Sequence, residues 1–306
     1  RAAVAVDEAG GEVVLALVDA AAVTASPTDE PTLYLAASSS GASWKSRTVI
    51  VDGGGQSVAV QTARCKAVIG TALGVLGAGS CELVDRINAV EVELVDGDQW
   101  LASCDMDALA NGANLAILGD ELLQFSSAES LGDGRFRLSG LLRGRGGSEW
   151  AVSGHVAGER FVMIDRCALV PLPLPAWAIG SEVTVSAVGV ASESLTVGTA
   201  SIRPLSPVHL TVASSGGGLA IAWTRRSRGG WAWLDEVDAP LGEKIEAYRV
   251  TLAGAGATVE RSVEQASIEF TASDLDELGG LPWTLEVRQV GDFAVSKPAT
   301  VTIHTI

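Results

Sequence analysis

Long apolar runs are missing from this sequence. No stretch approaches the roughly 20 residues that a membrane-spanning helix requires, so no membrane span is expected. Histidine is scarce at 3 residues, and cysteine numbers 4, at Cys65, Cys81, Cys104 and Cys167, with no C-x-x-C pair. That spacing suits neither a disulfide-dense scaffold nor a zinc site, and small buried apolar thiols are expected instead. Positive charge is also short. Lys and Arg total 21 against 37 Asp and Glu, a net charge of -16, which weighs against long-range attraction to nucleic acid or anionic membranes.

The sequence signatures of common chemistries are missing too. No lysine follows a glycine, which excludes a Walker loop, and neither G-x-S-x-G nor H-E-x-x-H occurs. His155 and Glu159 stand at i, i+4 spacing, but the surrounding glycines argue for strand and turn rather than a metal-binding helix. Acids are plentiful, yet spacing alone identifies no pair that would meet as a glycosidase pair does. The sequence therefore nominates no catalytic, cofactor-binding or metal-binding residue and no cofactor, and the expectation is that the chain is not an enzyme.

What is present is apolar alternation and glycine. The 306 residues are 47% hydrophobic and include 35 glycines, enough for two or three packed domains. The chain opens at Arg1 in mid-pattern and without Met, so no signal peptide is read and a longer polypeptide is expected. Short strands are predicted at 12–18, 32–35, 48–51, 89–94, 115–118, 121–125, 135–138 and 160–164, separated by glycine turns. In Ala89–Leu94 the side chains of Val90, Val92 and Leu94 share one face while Glu91 and Glu93 share the other. This is an all-β pattern of barrels or sandwiches.

Three domains are predicted. Residues 1–84 with 166–203 form a discontinuous β-sandwich or barrel, and residues 85–165 a small barrel inserted into it. Residues 204–306 form a sandwich of immunoglobulin-like strand rhythm. The prolines of 203–207 mark the last boundary, and the proline-interrupted 170–175 reads as an edge strand or linker. In the final domain Trp223 and Tyr248 are predicted to point inward, and 273–279 to form one or two helical turns.

One stretch stands apart: Gly134–Trp150, GRFRLSGLLRGRGGSEW, sets Arg135, Arg137, Arg143 and Arg145 among glycines in an acidic chain. A disordered RNA-binding arm does not fit, because strand-forming apolar residues frame the segment on both sides. An anion cradle of backbone N–H groups and a glycine-rich turn whose arginines pair with local acids both stay open.

NGANLAILGDELLQF at 111–125, RLSGLLRGRGG at 137–147 and GERF at 158–161 together resemble the large tail-tip, or baseplate hub, protein family of siphophages and gene transfer agents. The turn Arg143, Gly144, Arg145, Gly146 and Gly147 is its signature, with Ser148 where the family often carries Thr. The C-terminal segment WTRRSR (223–228), Trp233, PLGE (240–243) and YRV (248–250) is similar to the fibronectin type III-like module of those proteins. The resemblance implies a non-catalytic structural role at the distal end of a tail, in a virion assembled in the host cytoplasm. The partners it implies are other tail or baseplate proteins, a homotrimer in the particle, and a host-surface glycan or receptor. Direct nucleic-acid binding by this piece is not expected. Arg225, Arg226 and Arg228 interleave with Trp223, Trp231 and Trp233. They could form a basic aromatic ligand surface, or the arginines could pair with Glu243 and Glu246 and lock a long loop.

Overall fold

The computed structural model describes residues 11–21, 23, 28–41, 43–53, 56–190, 192–229 and 240–305. Strands account for 48% of residues and helices for 7%, the all-β class that the alternation predicts. The chain divides into two compact units. The first takes in the described residues of 1–23 and 30–201, and the second those of 24–29 and 202–306.

The first unit begins with β1 (Val13–Val18), β2 (Thr32–Ser39), β3 (Arg47–Gly53) and β4 (Gln56–Ala63). Six strands then close a barrel: β5 (Ile69–Ala72), β6 (Asp85–Leu94), β7 (Leu115–Leu118), β8 (Glu121–Gly132), β9 (Arg135–Arg145) and β10 (Arg160–Met163). Around the barrel their order is β10-β5-β6-β9-β8-β7, and a short helix, α1 (Met106–Ala110), lies between β6 and β7 in sequence. After the barrel come β11 (Val170–Pro173), β12 (Glu182–Ser186) and β13 (Glu193–Thr196).

Strands on either side of the barrel in sequence share sheets. Antiparallel pairing joins β11 to β2 and β12 to β3, giving one sheet ordered β1-β2-β11 and another ordered β13-β12-β3-β4. The proline-bearing β11 takes an edge, where its missing N–H groups cost no ladder bond. Relative to the boundaries read from sequence, the barrel begins at Ile69 rather than residue 85. The strand responsible, β5, is four residues long and reads IGTA, too short and too small to show alternation.

β2 explains how the layers stack. All eight of its residues are buried, so both of its faces are covered. Leu33, Leu35 and Ala37 face the core shared with Val49, Val51, Val183 and Val185. Tyr34 and Ala36 face a second core containing Ile69, Ile117, Leu122 and Val162 of the barrel. The β1-β2-β11 sheet is therefore a middle layer between the other sheet and the barrel. Each large apolar side chain buried there contributes about 1.5–3 kcal/mol.

Within the barrel β6 alternates as its sequence predicts. Val90, Val92 and Leu94 are buried, and Glu91 and Glu93 are exposed. Glu93 stands opposite Arg135 and Glu91 opposite Arg137 across the ladder, and Glu129 of β8 also faces Arg137. Two of the conspicuous arginines thus lie among acids on the barrel's outer face, where opposite charges across strands favour this register.

A disulfide joins Cys65 to Cys167, with Cα atoms 5.7 Å apart. This corrects the expectation of four unpaired thiols. The residues sit in the two connections between sandwich and barrel, just before β5 and just after β10, and the fold brings these ends together. Cys81 and Cys104 are free and partly buried.

The second unit contains β14 (Val208–Ser215), β15 (Gly218–Thr224), β16 (Tyr248–Ala253), β17 (Thr258–Val263), β18 (Ser267–Phe270), β19 (Trp283–Gln289) and β20 (Ala299–Ile303). A three-stranded sheet ordered β14-β15-β18 faces a four-stranded one ordered β17-β16-β19-β20 across a shared apolar core, a two-sheet β-sandwich. Trp223 and Tyr248 pack edge to face at its centre, with ring centroids 5.0 Å apart. Helix α2 (Ala272–Leu278) follows β18. Its N-cap is Thr271, two residues before the Ser273 start read from sequence, and Thr271 and Asp274 form a reciprocal capping box.

Candidate functional site

A cluster of buried charged side chains lies at one end of the barrel, at the RGRGG turn. Arg143, near the end of β9, is 1% exposed. All five of its N–H donors find acceptors. Nε donates to Glu121 Oε1 at 2.8 Å and Nη2 to Glu121 Oε2 at 2.8 Å, a bidentate fork. Nη2 also reaches the Val152 carbonyl at 3.1 Å, while Nη1 donates to the Gly77 carbonyl at 2.9 Å and to Asp85 Oδ2 at 3.2 Å. One side chain therefore binds β6, β8 and the two long loops at this end of the barrel.

Glu121 is equally saturated. Besides the fork it accepts the Gly144 N–H at 2.7 Å, and His155 Nε2 lies 2.6 Å from Oε2. The other ring nitrogen of His155, Nδ1, lies 2.7 Å from Glu159 Oε2. Asp85 accepts the backbone N–H groups of Ile87 and Asn88 and the Asn88 amide.

These contacts decide the ionisation. Burial raises the Glu121 pKa, but hydrogen bonds from His155, Arg143 and the Gly144 N–H outweigh it and hold the carboxyl below its ordinary range. Asp85 behaves alike: burial raises it, and the bonds from Asn88, Ile87 and Arg143 prevail to lower it. For His155 burial favours the neutral ring, and the hydrogen bonds to Glu121 and Glu159 overcome it, raising the pKa. Burial pushes the neighbouring Cys81 thiol up, and the charges of Glu149 and Glu121 add to the effect.

The glycines of the turn let the chain fit around this cluster. Gly144 has φ +61°, and a Cβ placed there would lie 2.8 Å from Cys81 Sγ and 2.9 Å from Glu149 Cα. Ser148 closes the turn: its hydroxyl accepts the Leu122 N–H at 2.9 Å and donates to the Arg145 carbonyl at 2.8 Å. A threonine hydroxyl could make the same bonds.

Of the arginines in the opening stretch, then, Arg143 is internal, and Arg135, Arg137 and Arg145 are exposed. The turn is one whose buried arginine pairs with acids, the second of the two readings. The partners Glu121 and Asp85 carry no signal in the sequence, because 22 and 58 residues separate them from Arg143, and His155 joins the cluster through Glu121. His155 and Glu159 do meet, but across a turn and as a hydrogen-bonded pair. Among the described residues no cluster of His, Cys, Asp or Glu is arranged to hold a metal ion.

The second unit's basic segment is built inward at Arg228. Its Nε donates to Glu243 Oε1 at 2.7 Å, both side chains are buried, and Nη1 donates to the Thr28 carbonyl. Glu243 also accepts the Asp292 N–H at 2.9 Å. Arg226 Nε donates to the Ser206 carbonyl at 2.7 Å and Arg225 Nη1 to the Pro240 carbonyl at 3.1 Å. Glu246 instead accepts the Tyr248 hydroxyl at 2.8 Å. Trp231 and Trp233, the other members of the predicted ligand surface, lie outside the described residues. No helix among the described residues is long and apolar enough to cross a membrane.

Among curated proteins none matches the sequence. Solved structures similar to the chain include domains d3–d4 of the rat CD45 extracellular region, 11% identical with a TM-score of 0.26. That match covers 41% of this chain and 64% of the CD45 chain, so this chain spans under two thirds of it. A segment of two fibronectin type III domains from chicken tenascin is 10% identical with a TM-score of 0.29, covering 97% of this chain and 99% of that one. Residues 67–162, which hold the barrel and its Arg143 cluster, match the family described as Rcc01698-like, C-terminal.

Proposed function

We propose that this chain is a structural component of a phage-like tail tip or baseplate hub, in the particle of a phage or gene transfer agent. It would contribute to tail assembly and to host-cell attachment or DNA delivery. The observation that carries the reading is the coincidence of three features. The LLRGRGG block that resembles the hub family lies in the barrel, that barrel is the part matching a family model, and its Arg143 is the ligature of one barrel end. A signature built on a buried charge cluster maintains shape, which is what a hub component supplies. A fibronectin type III-like unit following it in sequence suits a role in spacing or attachment.

Electron microscopy of the native particle tests this. The expected result is this chain at the distal end of the tail in threefold symmetry, contacting other tail proteins. A particle whose tail tip lacks the chain sinks the proposal.

The Cys65–Cys167 disulfide supports a second reading, a spacer or glycan-binding region of a secreted carbohydrate-active enzyme or surface adhesin, because disulfides persist in oxidising compartments. Any sequence that precedes Arg1 in the gene product would separate the two. Tail-hub domains there favour the first, and a catalytic glycosidase domain or a surface anchor favours the second.

A further inference from the structure

His155 is held in an unusual way. Each of its ring nitrogens faces a carboxylate oxygen, Nε2 at 2.6 Å from Glu121 and Nδ1 at 2.7 Å from Glu159. A carboxylate accepts and does not donate, so both contacts are hydrogen bonds only if both nitrogens carry protons. A neutral ring would turn one lone pair toward a negative oxygen at that distance.

The surrounding chain gives this ring a mechanical role. Between Val152 and Glu159 it is the one buried residue; Ser153, Gly154, Val156, Ala157 and Gly158 are all exposed. The segment is tied down at its ends by the Val152 carbonyl on Arg143 and by the Gly158 N–H on the Ala72 carbonyl at 2.9 Å. His155 is the side-chain anchor between them.

We propose that His155 is a proton-operated latch of the barrel. Its ring is an imidazolium at neutral pH, clasping the 153–158 loop to Glu121 and Glu159, and loss of one proton in alkaline solution releases that loop. The groups that set the field come from every element packed around it. Glu121 of β8 and Glu159 before β10 favour the positive ring. Arg143 of β9, bonded to the same Glu121, opposes it, while Asp85 of β6 joins the cluster through Arg143 and Glu149 through its charge on Cys81. Cys81, in the loop between β5 and β6, is also near this cluster. Glu121 is shared between two cations, so releasing the ring leaves the Arg143 fork intact. Opening is then local to the loop rather than a collapse of the barrel.

The sign follows from linkage. A histidine whose folded pKa lies above its ordinary value of about 6.5 stabilises fully below that pH, and the stabilisation is lost as pH rises through the folded value. The latch is thus closed in mildly acidic solution and opens as pH rises through the folded value.

Nitrogen NMR of the 306-residue chain with labelled histidine tests the ring directly. The three histidines are assigned with His209→Gln and His304→Gln variants. Both His155 nitrogens should be protonated at pH 7, and Glu159→Gln should move the titration midpoint down. A neutral His155 ring at pH 7, or a midpoint unmoved by Glu159→Gln, overturns the proposal. Hydrogen exchange then reads the loop. Corrected for intrinsic chemistry, the amides of 153–158 should lose protection as pH passes the His155 midpoint, while β8 and β9 keep theirs. Unchanged loop protection through that midpoint also overturns the latch. Should Glu159→Gln fail to fold, the wild-type titration and exchange decide the matter by themselves.

Discussion

Arg143 and Glu121 face each other across neighbouring barrel strands with two parallel hydrogen bonds of 2.8 Å, one from Nε and one from Nη2. Both side chains are fully buried, so neither charge has water as an alternative partner. Arg143→Ala leaves the carboxylates of Glu121 and Asp85 buried without their guanidinium. The first unit is expected to lose about 3–5 kcal/mol. Arg143→Lys restores the charge but neither the fork nor the five-donor pattern, and should recover only part of that loss. Urea unfolding of the three proteins checks both statements; a lysine variant as stable as wild type would show that charge alone suffices.

Acid should attack the same cluster from the other side. The pKa values of Glu121 and Asp85 are lowered in the folded protein, so their stabilisation is complete above the ordinary carboxylate value of roughly 4. It is lost as pH falls below that value through the folded pKa. The melting temperature of wild type is expected to drop on this limb as pH falls below about 4. Glu121→Gln is less stable at pH 7, and its acid limb is shallower. Parallel limbs would assign acid unfolding to other carboxylates.

The Cys65–Cys167 bridge closes a loop of 102 residues in sequence separation. In the chain-entropy picture a loop of that length stabilises by up to about 4.7 kcal/mol. Peptide mapping without reductant should recover the two cysteines in one linked fragment, and urea unfolding should shift to lower denaturant when reductant is added. The double variant Cys65→Ser with Cys167→Ser should match the reduced protein and be insensitive to reductant.

Two glycines with similar backbone angles separate conformational strain from crowding. Gly144 at φ +61° is hemmed by Cys81 and Glu149, while Gly180 at φ +80° has nothing within 4 Å of an added Cβ. Gly180→Ala should cost about 1–2 kcal/mol, the backbone penalty alone. Gly144→Ala should cost measurably more, because a rigid backbone atom of Glu149 stands in the way. Thermal melts of the two variants give the comparison.

In the second unit, Thr271→Ala removes the cap of α2 and should cost about 1 kcal/mol. Hydrogen exchange of residues 272–278 should show the helix fraying while the sandwich strands stay protected.

The parts of this fold that were legible in sequence obey a short rule. β6 announces itself because Val90, Val92 and Leu94 alternate with acids, and period-two alternation survives any tertiary arrangement. Trp223 and Tyr248 are large aromatics at alternating positions, and such residues have few places to go but inward. The helix near Ser273 is visible in its acids and closing glycine, though two residues displaced, because Thr271 and Ser273 are both competent caps and the capping box with Asp274 selects Thr271. β5 was illegible, since IGTA takes its strand identity from the neighbours that pair with it. The disulfide was illegible because cysteine spacing says nothing about two connections that meet in space. The arginine-rich turn was half legible. Its glycines marked a turn, but which of four arginines turns inward depends on Glu121 waiting inside the barrel. In the basic segment Arg228 pairs with Glu243, one of the two acids named from sequence, whereas Glu246 bonds the Tyr248 hydroxyl.

The position of the Cys65–Cys167 bridge has a consequence for load. Tension applied along the polypeptide passes through the sulfur atoms from one neck to the other, so the barrel hangs in a covalently bypassed side loop. About 340–370 Å of contour, the extended reach of a sequence separation of 102, is withheld from extension while the bridge holds. An oxidised molecule under traction stretches through its sandwiches alone, and the barrel keeps its shape as a rigid passenger.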